Sequence, residues 1–195
     1  LMTSAGARDC YPQFEGAPGG SFSPLIERDS TILGRKHLVR VYLPPGYHEN
    51  TLRHYPVLYM QDGKNLFFPE EAFLGRSWDV DETLDQLDAM NVIDELIGEG
   101  DKIKVGKLEL EVWHTPGHDY TEPGVEAYGR ALVEELKPWI DGELRTLPDA
   151  RRTAVLGSSL GGVAAFALAW RWPQVFGQAA CLSSTFGYKD ELLAR

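Results

Sequence analysis

The chain has 195 residues, of which 43% are hydrophobic, 11% aromatic and 25% charged, enough apolar content for the core of one domain and too much for a disordered chain. Its 29 acidic residues against 19 basic ones leave a formal charge of −10, a field that repels nucleic-acid backbones and anionic lipid, so neither is expected as a partner. No apolar run approaches the ~20 residues of a membrane span. The cysteines, Cys10 and Cys181, lack the spacing of a disulfide scaffold or metal knuckle. The start, Leu1 to Gly6, lacks a signal-peptide pattern, which favours a cytoplasmic location.

Residues 1–30, punctuated by Pro12, Gly16, Pro18, Gly19, Gly20 and Pro24, read as an irregular lead-in, with 31–195 as a single domain. His37 to Leu43 alternates with period two and runs into Pro44-Pro45-Gly46, a strand ending in a turn. Pro56 to Met60 is continuously apolar, the mark of a strand buried on both faces, and leads into the polar loop Gln61-Asp62-Gly63-Lys64-Asn65. Val80, Leu84, Leu87, Ile93, Leu96 and Ile97 recur at helical spacing until Gly98 and Gly100. Leu108 to Trp113 alternates again as a strand. Leu132, Leu136, Trp139 and Ile140 mark one face of a helix over 124–141, with Pro138 predicting a kink or break near its end. Thr153 to Gly157 reads as a buried strand, 160–171 as an Ala-rich helix stopped by Pro173, and Gln178 to Ser183 as a last strand. Such alternation predicts an α/β fold, a mainly parallel sheet with helices on both faces. The five tryptophans read mostly as core, and the acidic pairs Glu70-Glu71, Asp79/Asp81 and Glu134-Glu135 as solvated faces.

Gly157-Ser158-Ser159-Leu160-Gly161-Gly162 matches G-x-S-x-G between a buried strand and a helix. Such an elbow holds its central serine in a strained turn, and small residues two before and two after let the backbone fold that tightly. Ser159 is thus the candidate nucleophile. The amide of Leu160, at a helix N-terminus, is a candidate oxyanion donor.

With Val41-Tyr42-Leu43-Pro44-Pro45-Gly46-Tyr47, Tyr55 to Gly63 with Asn65-Leu66-Phe67, Trp78-Asp79, Glu134 to Asp141, Arg145 to Pro148, the elbow, Trp172 to Gly177 and Leu182-Ser183-Ser184, the chain resembles the α/β-hydrolases of the "putative esterase" family. The resemblance covers roughly 30–90 and 120–188. It implies an α/β-hydrolase-like three-layer sandwich and a serine carboxylesterase without a cofactor, acting on a small-molecule ester. It also implies a second oxyanion donor after Asp62-Gly63, the Lys64 amide, with Asp62, Gly63 and Trp78 facing the substrate.

An activated serine needs a base, and the base needs a carboxylate to orient it. In this fold the order is Ser, acid, His. Here all five histidines, His37, His48, His54, His114 and His118, precede Ser159, and Asp190 and Glu191 are the carboxylates after it. The chain therefore reads as lacking the last strands and helices of the fold, or as using His118 as a surrogate base. Gly106 to His118, ending in His114-Thr115-Pro116-Gly117-His118, resembles a strand and loop of metallo-β-lactamase-fold hydrolases, without the second histidine cluster those enzymes need. Two rival readings stay open: a hydrolase scaffold with little turnover, truncated or chimeric, and a metal-dependent hydrolase using His114 and His118. A last strand left at the sheet edge predicts pairing with a second copy of the chain.

Overall fold

The computed structural model describes residues 20–90, 106–109, 122–184 and 186. Seven strands form its sheet: β1 (Ser21–Phe22), β2 (Ile26–Ser30), β3 (Arg35–Leu43), β4 (Val57–Met60), β5 (Gly106–Glu109), β6 (Thr153–Ser158) and β7 (Gln178–Leu182). The spatial order is β1-β3-β5-β4-β6-β7, with β2 also paired to β3. The β5-β4-β6-β7 half is parallel, while β3 runs antiparallel to β1, β2 and β5. The sheet is therefore mixed, and its parallel half carries the elbow.

The lead-in reading of 1–30 is corrected at its end, because Ser21–Phe22 and Ile26–Ser30 are strands. Ile26-Glu27-Arg28-Asp29-Ser30 has one apolar residue and no alternation to announce a strand. Its partner makes it one: it pairs in register with β3 from Ile26↔Val39 to Ser30↔Arg35. Residues 1–19 lie outside the described residues.

Four α-helices flank the sheet among the described residues: α1 (Val80–Ala89), α2 (Glu122–Arg130), α3 (Lys137–Glu143) and α4 (Leu160–Arg171). The apolar pattern extending to Ile97 and the strand residues after Glu109 lie outside the described residues. Pro138 does not break its helix. Six residues, Ala131–Leu136, form a π turn that joins α2 to α3, closed by Lys137 N donating to Leu132 O. Proline offers no N–H to the carbonyl four residues back and crowds it, so the wider turn upstream absorbs the misfit.

The two sheet faces bury separate clusters. One packs Val39, Val41, Val57, Tyr59 and Val155 against Tyr128, Leu132, Leu136 and Ile140 of the long helix and Ala165 and Leu168 of α4. The other packs Tyr42, Leu58 and Met60 with Leu66 and Phe67, and α1 joins through Val80. β4 is buried along its whole length, as its unbroken apolar run requires. The tryptophans divide: Trp139 and Trp172 pack against the core, whereas Trp78 and Trp170 are 42% and 76% exposed. Trp170 lies on the outer side of α4, stacked on Phe166, because small residues such as Gly161, Ala164 and Ala165 occupy the side turned to the sheet.

The acidic pairs are also not all solvated. Asp81 is 4% exposed. Glu135 clamps the β2–β3 turn: its carboxylate accepts from Ser30 Oγ (2.5 Å), Thr31 N (2.9 Å), Thr31 Oγ1 (2.5 Å) and Ile32 N (3.2 Å). Burial pushes the Glu135 carboxyl up, but those hydrogen bonds together outweigh it and hold the group below the ordinary range. A depressed folded value means that the stabilisation is complete above the ordinary glutamate value of about 4.3 and fades as pH falls through the folded one. Glu135→Gln is expected to lower the melting temperature by a few degrees at pH 7. Thermal melts repeated at descending pH should show the gap to wild type closing below about pH 4.

Candidate active site

The parallel strands β4, β6 and β7 end at one edge of the sheet, where three of the five left-handed non-glycine residues among the described ones stand. Asp62, Ser159 and Ser183 each stand one or two residues past those strands, at φ of 63°, 55° and 47°. Non-glycine residues in this region each cost on the order of 1–3 kcal/mol and persist where the surroundings over-determine them. At the elbow those surroundings are plain. Ser159 (φ 55°, ψ −119°) donates its N–H to Leu182 O at 2.8 Å, carrying the β6–β7 pairing one residue past the strand. The first helical bond of α4 runs from Val163 N back to Ser159 O, 3.3 Å. A Cβ on Gly157 would overlap the Gly161 carbonyl and stand 2.8 Å from Gly162 N, so the chain turns back on itself with no room for a side chain. Ser159 is exposed, and its hydroxyl caps nothing in the helix it precedes, which leaves it available for chemistry.

The β4 loop is packed against that elbow. Gln61 N donates to Leu156 O (2.8 Å), tying the loop to β6, and a Cβ on Gly161 would lie 2.5 Å from Asp62 Oδ2 and 3.1 Å from Gln61 Cβ. Asp62 turns left-handed into a short 3₁₀ turn, Gly63–Asn65, held by Asn65 N to Asp62 O (2.8 Å) and Leu66 N to Gly63 O (3.2 Å). That ladder leaves the Lys64 amide over, as the helical ladder of α4 leaves the Leu160 amide. Trp78 joins the same corner through its N–H to Asn65 O, 2.7 Å. The structure thus gathers Ser159, Leu160, Asp62, Gly63, Lys64 and Trp78 at one edge. The Asp62 carboxylate lies over the Gly161 backbone as part of the packing.

His118 and His114, the base and metal-ligand candidates, lie outside the described residues. Of the described histidines, His37 is buried on β3 with its imidazole pushed down by burial, His48 stands 3.4 Å from Ser21 Oγ, and His54 is exposed. None of these three is hydrogen-bonded to Ser159. Cys181, paired with Gly157 across β6–β7, has its thiol pushed up by burial, which keeps it protonated and a poor rival nucleophile. Among the described residues no group of three His, Cys, Asp or Glu side chains could hold a metal ion. β7 pairs with β6 alone among the described residues, with Ala179 and Leu182 exposed.

Gln61 is the site residue that the sequence reading missed. It is 2% exposed and accepts a 2.7 Å hydrogen bond from Tyr128 Oη, while its Nε2 has no partner among the described residues. Its place between a buried strand and Asp62-Gly63 was the one available signal.

Residues 30–189 match the family described as "Putative esterase". A relative from Xylanibacter ruminicola named "Endo-1,4-beta-xylanase/feruloyl esterase" is 30% identical over 84% of this chain and 22% of its own length. Among solved structures, a ferulic acid esterase aligns with TM-score 0.65 at 22% identity, over 87% of this chain and 60% of that one. The ferric enterobactin esterase of Salmonella typhimurium aligns with TM-score 0.65 at 19% identity, over 96% of this chain and 40% of that one. These likenesses establish the α/β-hydrolase-type fold. The chain spans less than two thirds of the length of each of these proteins.

Proposed function

Because the chain belongs to the "Putative esterase" family, we propose that it hydrolyses carboxylic esters through an acyl-enzyme on Ser159. The observation that carries this reading is the backbone of Ser159, held at φ 55°, ψ −119° between strand and helix, with main chain closing off any side chain at Gly157 and the Asp62 carboxylate packed over Gly161. Ser159 Oγ attacks the ester carbonyl while a base takes its proton. The carbonyl oxygen gains negative charge facing the Leu160 and Lys64 amides, the alcohol leaves with the proton, and water repeats the sequence to release the acid. Asp62, Gly63 and Trp78 flank the substrate in this reading.

In this reading the base is a histidine, either the fold's usual one or His118 as a surrogate. The support for His118 is topological: β5 runs parallel to β4 and ends at the elbow's edge with Glu109, and the chain resumes at Glu122 in the helix whose Tyr128 meets Gln61. The names of the relatives make feruloyl esters the first natural substrates to try, beside a p-nitrophenyl ester.

The deciding experiment is fluorophosphonate labelling read by intact mass. One adduct on the wild type and none on Ser159→Ala is expected. No adduct on the wild type would favour a scaffold without turnover. Hydrolysis that survives Ser159→Ala and stops with a chelator would move the chemistry to a metal site.

A further inference from the structure

We propose that Tyr128 is a positioning residue that sets the oxyanion loop against the elbow by acting through Gln61, an inference that rests on the Ser159 reading above. Gln61 is the first residue past β4, and its N–H is fixed to Leu156 of β6 at 2.8 Å. Its side chain leaves the sheet edge toward α2, where Tyr128, 4% exposed, donates its hydroxyl to Gln61 Oε1 at 2.7 Å. On the opposite side Gly161 of α4 packs close, so that a Cβ there would stand 3.1 Å from Gln61 Cβ and 2.5 Å from Asp62 Oδ2. Gln61 and Asp62 are therefore gripped between the long helix and the first turn of α4, immediately before the turn that offers the Lys64 amide.

The energetics single out this link. A buried amide with Nε2 unmatched among the described residues costs stability, and a leucine or methionine would fill similar space without that cost. The polar pair stands where the oxyanion loop meets the elbow, and a directional bond fixes a loop in a way that apolar packing does not. An oxyanion donor displaced by a fraction of an ångström loses much of its worth, because it acts on charge that develops in the transition state.

Tyr128→Phe removes one hydroxyl and keeps the ring. The fluorophosphonate labelling rate and kcat for a p-nitrophenyl ester are both expected to fall about 10- to 100-fold, with KM within about twofold of wild type. Gln61→Met, which cuts the link from the other side, should do the same, and the double variant should be no worse than either single one. A purely structural role would lower the melting temperature and leave labelling unchanged well below it, which would sink the proposal. Amide hydrogen exchange gives a readout independent of turnover: exchange across Asp62–Leu66 should rise about tenfold in Tyr128→Phe, with the interior amides of α4 unchanged. Equal exchange in the two proteins would also overturn it. Absence of labelling on the wild type at Ser159 would instead overturn the esterase reading, and the exchange comparison would still decide the role of Tyr128.

Discussion

Ser159→Ala is expected to take covalent capture by a fluorophosphonate to background, and ester hydrolysis down by at least about a thousandfold, while the fold survives. Loss of a serine nucleophile removes the bond-forming atom, and what remains in such enzymes is binding and oxyanion stabilisation alone. The fold should survive because the Ser159 hydroxyl is exposed and caps no helix, while alanine keeps the same Cβ in the same strained backbone. The melting temperature should therefore shift by no more than roughly 2–4 °C, the equivalent of about 1 kcal/mol for a chain of this size. Thermal melts beside the labelling experiment separate the two effects. A collapsed melting curve would mean that the loss of labelling reports unfolding, and retained labelling would place the reactive group elsewhere.

Gly157→Ala should do the opposite, damaging the fold first and the chemistry as a consequence. The added methyl would overlap the Gly161 carbonyl and crowd Gly162 N, all main-chain atoms that cannot swing aside as a flexible side chain would. Relief requires pulling α4 away from the end of β6, where Gly161, Gly162, Val163, Ala164, Ala165 and Leu168 are buried. Overpacking of this kind costs on the order of 3 kcal/mol, or roughly 6–12 °C in melting temperature. Differential scanning calorimetry of the two proteins checks it. A shift under about 2 °C would show that the elbow has room that the structure does not describe.

What could be read from residues alone follows from where the information lies. The elbow and the buried strands β4 and β6 were legible because their signals are local: an apolar run, and small residues at fixed offsets around Ser159. The strand Ile26–Ser30 was not, because its pairing with β3 supplies what its own residues lack. Glu135 read as a solvated acid because the groups it binds, at Ser30 to Ile32, lie about a hundred positions away in the chain. The left-handed positions themselves, Asp62 and Ser183, are not glycines, so their residue types do not announce the conformation. Gln61 read as the start of a polar loop and nothing marked Tyr128, and their bond exists only once α2 is laid across the sheet. The choice of a base rests on where β5 ends and α2 begins, since His118 lies outside the described residues.

The π turn has a consequence for helical phase. Tyr128, Leu132, Leu136 and Ile140 are all buried in one cluster, spaced four residues apart each time. On a regular α-helix each such step overshoots a full turn by about 40°, so the fourth residue would sit about 120° around the barrel from the first. The wider turn over Ala131–Leu136 takes up part of that drift and keeps the stripe facing the sheet. Tyr128 lies before that turn and Ile140 after it, so the aim of the tyrosine depends on a correction made one turn downstream. Deleting one residue within 131–136 would let a regular α-helix replace the π turn, with Tyr128 and Ile140 eleven residues and so only about 20° apart, and Tyr128 should keep its aim at Gln61.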